Sequence, residues 1–229
     1  MASQPADGTA MTLEIDGAAL LSGAALSILA GLDELAERAN SNRAGVRLHG
    51  NRQLRDLAEQ GGPLPAIARC YLGSVARPVR AIFFDKKPAM NWALGWHQDR
   101  TIAVAAKHPR AGYETWTSKA DICHVEPPFS VIERMVTIRV HIDDVDDDNA
   151  PLLIAPGSHR LGRIPEADIA RSVERCGTYS CHARRGDVWI YSTPILHASA
   201  RSRSIRSRRV LQLDYAADAL PPPLEWLGL

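Results

Sequence analysis

Two residue types recur in this chain at spacings that suit a metal ion. His97 and Asp99 stand two apart in Gly95-Trp96-His97-Gln98-Asp99, and an isolated histidine, His197, follows 100 residues later. On an extended chain, residues two apart project to the same face, so His97 and Asp99 can reach one ion. A later histidine can complete a two-histidine, one-carboxylate face that leaves positions open on iron. The spacing occurs twice, because His141-Ile142-Asp143 repeats it. There, however, the strand-like run enters five acids in the six positions 143–148. Such a run reads as a solvated turn, and it lacks the spaced acids and glycine of a calcium loop. Trp92 and Trp96 flank His97 and can wall off a dry pocket, so His97 and Asp99 are the favoured pair.

Beyond His197 lie Arg201, Arg203, Arg206, Arg208 and Arg209, five arginines in nine residues. They invite a nucleic-acid reading or the plainer one of a solvated loop. A third reading treats residues 201–206 as a symmetric hairpin loop. Ser199 then opposes Arg208 on the face that carries His197. A guanidinium there can hold a dicarboxylate bidentately while the other end of that molecule chelates the metal. Arg209 would point the opposite way.

The elements needed to position these groups are legible as short periodic runs. Helices are expected at about 24–39, ending at Asn40-Ser41-Asn42, then at 54–60, 65–72 and 165–173. Strands are expected at 79–84, 101–105, 135–142, 152–154, 178–182, 188–191, 195–200 and 209–215. This order predicts a mainly β fold with flanking helices, a jelly-roll or cupin-like barrel. One domain over residues 1–229 is expected, with a helical part at about 17–75 and a β core at about 78–216. Residues 1–8 read as a disordered tail, 105–126 as a mobile lid, and the proline-rich stretch 220–226 as a surface wrap.

Composition narrows the remaining classes. The 229 residues carry a formal charge of +1 and are 45% hydrophobic, which favours a globular protein over a polyanion binder. The apolar run 18–32 has no preceding Lys or Arg, continues into Asp33, Glu34 and Glu37, and is shorter than the roughly 20 residues of a membrane span. It reads as an amphipathic helix of a soluble, cytoplasmic protein. Cys123-His124 with Cys176 and Cys181-His182 could supply zinc ligands, but the four cysteines follow no close zinc spacing. They read as reduced thiols.

The stretch Phe84-Asp85-Lys86, then Asn91-Trp92 and Trp96-His97-Gln98-Asp99, is joined by Ala155-Pro156-Gly157-Ser158-His159-Arg160 and by His197 with Arg208 eleven positions on. Together, from about residue 78 to 215, they resemble the phytanoyl-CoA dioxygenase family. The resemblance implies a double-stranded β-helix and an Fe(II)/2-oxoglutarate-dependent dioxygenase. It implies iron on His97, Asp99 and His197, and the distal carboxylate of 2-oxoglutarate on Arg208, assisted by Ser199. Lys86 would also touch the co-substrate, and His159 would be structural. Of the three open iron positions, 2-oxoglutarate would take two and O2 the third, with succinate and CO2 released as a small organic metabolite is hydroxylated. Retention of Asp99 argues against halogenation; desaturation, epoxidation and ring closure stay open.

Trp92 and Trp116 are either pocket walls or packing. Arg139 either binds substrate or pairs with an acid of the 143–148 turn. Two rivals remain: a silent jelly-roll module binding nucleic acid through residues 201–209, and a cupin-like metal enzyme that does not use 2-oxoglutarate.

Overall fold

The computed structural model describes residues 10–39, 43, 45–59 and 61–229. The expected tail at 1–8 and the helix stop at Asn40-Ser41-Asn42 lie outside the described residues. The strands before the first histidine are β1 (Ala18–Leu21), β2 (Gly45–Leu48), β3 (Arg77–Lys86) and β4 (Leu94–His97). Then come β5 (Ile102–Val104), β6 (Glu114–Lys119), β7 (Ile122–Glu126) and β8 (Met135–His141). The last are β9 (Leu152–Ile154), β10 (Tyr179–Cys181), β11 (Val188–Ser192), β12 (His197–Ser199) and β13 (Arg208–Ala216). Helices α1 (Leu29–Ala39), α2 (Arg52–Ala58) and α3 (Pro63–Leu72) lie early in the chain; α4 (Phe129–Ile132) and α5 (Ile169–Cys176) are inserted later.

The large sheet has the order β1-β11-β8-β13-β3-β2, and a smaller sheet the order β10-β9-β12-β4. Every pairing is antiparallel, and the two sheets make the double-stranded β-helix. Alternation along β3 and β13 decides what each face of the large sheet does. Ala81, Phe83, Leu211, Leu213 and Tyr215 join one apolar cluster with Leu32, Leu35, Leu54, Leu64 and Ala68 of the three early helices. The opposite face carries Arg80, Ile82, Phe84 and Lys86 beside Arg208, Gln212 and Asp214. A sheet thus buttressed by helices can turn an unusually polar face inward.

Two strands depart from the expected helical part. Ala18–Leu21, the beginning of the run read as helix, is β1 and pairs with β11. Ala18 and Ala19 are small and buried there, and Gly23 at φ +66° turns the chain before α1. Gly45–Leu48 forms the far edge strand, with Arg47 opposite Ile82. The stretch expected as a lid contains the β6–β7 hairpin, paired through β7 to β5. The proline-rich tail also does more than wrap: Trp226 bridges Val104, while Leu220 and Leu224 are buried in a second apolar cluster. No helix among the described residues is long and apolar enough to cross a membrane.

The Pro-Gly-Ser-His turn fixes the approach to β12. Ser158 is fully buried, and its Oγ accepts a hydrogen bond from the Leu196 N–H at 2.9 Å. Ser158→Ala leaves that buried donor unpaired, so stability should fall by about 1–3 kcal/mol, read as a lower urea midpoint. An unchanged midpoint would remove Ser158 from this role.

Candidate metal centre

His97 ends β4, Asp99 follows it, and His197 begins β12 on the adjacent strand. The register pairs His197 directly with His97, and their ring centroids lie 4.2 Å apart. One donor atom from each of His97, Asp99 and His197 lies within 4.8 Å of the others. Both rings are held alike. His97 Nδ1 lies 2.8 Å from the Gly95 carbonyl, and His197 Nδ1 lies 2.9 Å from that of Ile195. A carbonyl can only accept, so each Nδ1 carries the proton and each Nε2 keeps its lone pair for a metal.

Gln98, between the two donors on the chain, faces away from them and is buried. Its amide donates to the carbonyls of Gly162 at 3.0 Å and Pro194 at 2.8 Å, and accepts from the Ile164 N–H at 2.9 Å. It therefore ties the His97–Asp99 segment to the turn that delivers His197.

Asp99 is held from the large sheet. Arg80 Nη2 donates to Asp99 Oδ2 at 3.1 Å, while Arg80 Nε donates to Asp214 on β13. Thr137 Oγ1 completes that network, donating to Asp214 at 3.0 Å. Burial alone would raise the Asp99 carboxyl, but Arg80, and then His197 and His97, bring it down to about 2. Burial first, and then His97, lowers His197 to about 4. Asp99 is thus held as a carboxylate and His197 as a neutral imidazole, the states that ligation of a divalent metal requires.

The second histidine–aspartate pair is not assembled in this way. Asp143 accepts from the Arg209 backbone N–H and guanidinium at 2.6–2.9 Å. His141 is buried with neither ring nitrogen partnered. Among the described residues, the His97, Asp99 and His197 group is the cluster that can hold an ion.

The three donors open onto a cleft of about 450 Å³, within the usual size of small-molecule sites. Arg208 lies inside it, almost wholly buried; its Nη1 donates to the Ala150 carbonyl and lies 3.5 Å from Ser199 Oγ. The expected hairpin between Ser199 and Arg208 is not formed. Strand β12 pairs with β4 and β9, and β13 with β3 and β8, where Arg208 faces Lys86. The intervening loop crosses between sheets, anchored by Asn91 on both backbone groups of Ser202. Ser199 and Arg208 therefore meet across the sandwich.

Lys86 Nζ donates to Ser199 Oγ at 3.1 Å and to the Ala200 carbonyl at 2.7 Å, beneath the ring of Trp92. Arg139 also faces the cleft and donates to Gln212 at 2.8 Å; none of the acids of the 143–148 turn pairs with it. Those acids engage the outer arginines instead, Asp146 with Arg206 and Asp148 with Arg203. Trp92 lines the cleft. Trp116 does not: it packs in the second apolar cluster, with Lys107 over its ring.

Arg80 and Gln98 were not singled out from sequence. The alternation Arg80, Ile82, Phe84, Lys86 on one strand carried a signal for the first, because it turns a charge inward wherever Phe84 is inward.

The fold is a double-stranded β-helix, and its three donors form a face that could hold one metal ion. Residues 28–210 match the model of the phytanoyl-CoA dioxygenase (PhyH) family, and the chain belongs to that family, whose cofactors are iron(II) and 2-oxoglutarate. No curated protein matches it in sequence. Among solved structures it is similar to SnoN, a non-haem α-ketoglutarate-dependent epimerase from nogalamycin biosynthesis, at 18% identity and TM-score 0.66, covering 89% of this chain and 77% of SnoN. EctD from S. alaskensis, solved with 2-oxoglutarate and 5-hydroxyectoine, aligns at 16% identity and TM-score 0.65 over 99% of this chain and 83% of its own. HygX from Streptomyces hygroscopicus, with nickel and 2-oxoglutarate bound, aligns at 15% identity and TM-score 0.61 over 89% and 84%.

The bridging role of Arg80 is testable by stability. Arg80→Gln leaves two buried carboxylates without their shared cation and should cost about 3–5 kcal/mol. Adding Asp214→Asn should recover part of that loss. A single variant as stable as the parent would contradict the bridge.

Proposed function

We propose that this protein is an iron(II)- and 2-oxoglutarate-dependent dioxygenase that hydroxylates a small organic molecule. Iron would sit on His97, Asp99 and His197, and 2-oxoglutarate would lie between that ion and Arg208. The observation that carries this is the convergence of three donors within 4.8 Å on one cleft, with Arg208 buried in the same cleft and, among the described residues, no carboxylate paired to it. When bound, iron and 2-oxoglutarate supply the activation of O2, coupled to release of succinate and CO2.

The chain's own part is positioning and charge. The fixed Nδ1 protons of His97 and His197 aim both Nε2 lone pairs inward, and Arg80 orients Asp99 without neutralising it. Arg208 and Ser199 would receive the distal carboxylate, and Lys86 would add a second cation. Arg139 belongs on this side too, since its charge bears on Lys86, Arg208 and His197; we therefore assign it to the co-substrate rather than the substrate. Trp92 would close the cleft over Lys86. Retention of Asp99, where a halogenase needs room for chloride, supports oxygen insertion. The pairing of Arg203, Arg206 and Arg209 with acids weighs against a nucleic-acid role. Free cysteines suit a reducing, cytoplasmic setting, and we take helices and β-helix as one oxygenase domain.

Anaerobic Fe(II) with 2-oxoglutarate should give a visible charge-transfer band, and Arg208→Ala should weaken 2-oxoglutarate binding about a hundredfold, roughly 3 kcal/mol. A well-folded protein with no band, or equal affinity in the variant, would count against the assignment.

The pH dependence has a defined sign. Burial first, and then Arg208 and Arg139, lowers Lys86 to about 7, so above that pH the free site holds a neutral amine. A dianionic ligand favours the ammonium, so binding should take up protons and tighten as pH falls toward about 7. Calorimetry in buffers of different ionisation enthalpy reads the uptake, and Lys86→Met should abolish most of it. Affinity independent of pH in the parent would refute the role of Lys86.

A further inference from the structure

The cleft is lined by five cationic side chains, Arg47, Arg80, Lys119, Arg139 and Arg208, and by one acid, Asp99. Arg80 is satisfied by Asp214 and Asp99. Arg139 and Arg208, with Lys86, form the end assigned to 2-oxoglutarate. Arg47 and Lys119 are left over. Among the described residues neither has a carboxylate at ion-pair distance, and the Arg47 Nε is buried with no hydrogen-bond partner. The Arg47 side chain nevertheless lines the cleft, and a half-buried cation with no counter-charge favours an anionic occupant there.

Their placement separates them from the co-substrate end. Across the large sheet Arg139, Gln212, Ile82 and Arg47 occupy one row, so Arg47 projects from the edge strand into the same concave face as Arg139. At a strand spacing of about 4.8 Å and a rise of about 3.4 Å per residue, the backbone at Arg47 lies roughly 15 Å from that at Arg139 and at Arg208. The charges that act on Arg47 are those of Arg80 and Asp99 rather than those of Arg139 and Arg208. Lys119 comes from the other side, next to a two-residue hairpin turn, Ala120-Asp121, in which both φ angles are positive, the geometry that matches strand twist. Both line the cleft, and the charge of Asp99 acts on both. Ile82, Trp92 and Leu94 supply an apolar wall along the same cleft.

Resting on the iron and 2-oxoglutarate reading above, we propose that Arg47 and Lys119 form the substrate's anion site. The substrate is then a small organic acid, carrying a carboxylate or a phosphate, whose apolar part lies along the wall beside the metal. Two cations from separate sheets pin one end of such a molecule and leave a carbon remote from the acid group facing His97, Asp99 and His197. Charge-assisted hydrogen bonds to a fork-shaped guanidinium favour an oxyanion over a neutral amide of the same shape.

The test uses three probes of closely matched shape, 3-phenylpropionate, phenyl phosphate and the neutral 3-phenylpropionamide. Each is titrated calorimetrically into the full-length protein loaded anaerobically with Fe(II) and 2-oxoglutarate. At least one anion should bind about tenfold or more tightly than the amide, and Arg47→Gln with Lys119→Gln should erase that preference while keeping the metal–2-oxoglutarate band. The stronger anion identifies carboxylate or phosphate as the group received. Binding of the amide equal to that of the anions, no heat from either anion, or a preference that survives the double substitution would overturn the proposal. Absence of the band in the parent protein would fault the iron reading instead, and the same titrations without 2-oxoglutarate would still judge the anion site.

Discussion

A charge inside a β-barrel must find its partner there, and Arg80 meets that requirement for two carboxylates at once. It rises from β3, one strand in from the edge of the large sheet, pairs with Asp214 on β13, and reaches across to Asp99 on the opposing side. Without a cation in that position, burial would favour the protonated acid, a poor metal ligand. The metal face is therefore not a property of three donor residues alone. It depends on a guanidinium set in the sheet that faces them, and on Gln98, which fastens the same segment from behind.

The electrostatics of the molecule divide along the same surface. Outside, Asp146 pairs with Arg206 and Asp148 with Arg203 in exposed bridges, each worth little by itself. Inside, positive charge accumulates with Asp99 as the single lining acid. Buried cations without anions are unfavourable in the empty site, and burial lowers Lys86 and Arg208 accordingly, to about 7 and about 9. An anion bound there would offset that cost, which links stability to affinity in the proposed reading.

Much of this was legible in the residues. Same-face projection brought His97 and Asp99 together, and the strand series gave the barrel. What periodicity could not supply was which strands are neighbours. Alternation correctly turned Arg208 inward and Arg209 outward, yet the inferred hairpin between Ser199 and Arg208 was wrong, because the loop anchored by Asn91 crosses between sheets. The strand Ala18–Leu21 was hidden in an apolar run whose later part is helical, and Gly45–Leu48 is too short to declare itself. Of the two readings of Arg139, pairing with an acid of the 143–148 turn is not what forms: it donates to Gln212, while Asp146 and Asp148 engage arginines further along the chain. Arg47 carries no motif; only the register across four strands reveals where it points.

In the proposed reading, one ion on His97, Asp99 and His197 and one dicarboxylate on Arg208 share this cleft. A crystal structure with Mn(II) in place of iron and with 2-oxoglutarate, prepared without O2, tests it most directly through the anomalous signal of the metal. A single strong peak is expected within bonding distance of His97 Nε2, His197 Nε2 and an Asp99 oxygen, with the far carboxylate of 2-oxoglutarate on the Arg208 guanidinium. A metal bound elsewhere, or 2-oxoglutarate bound with Arg208 untouched, would contradict it.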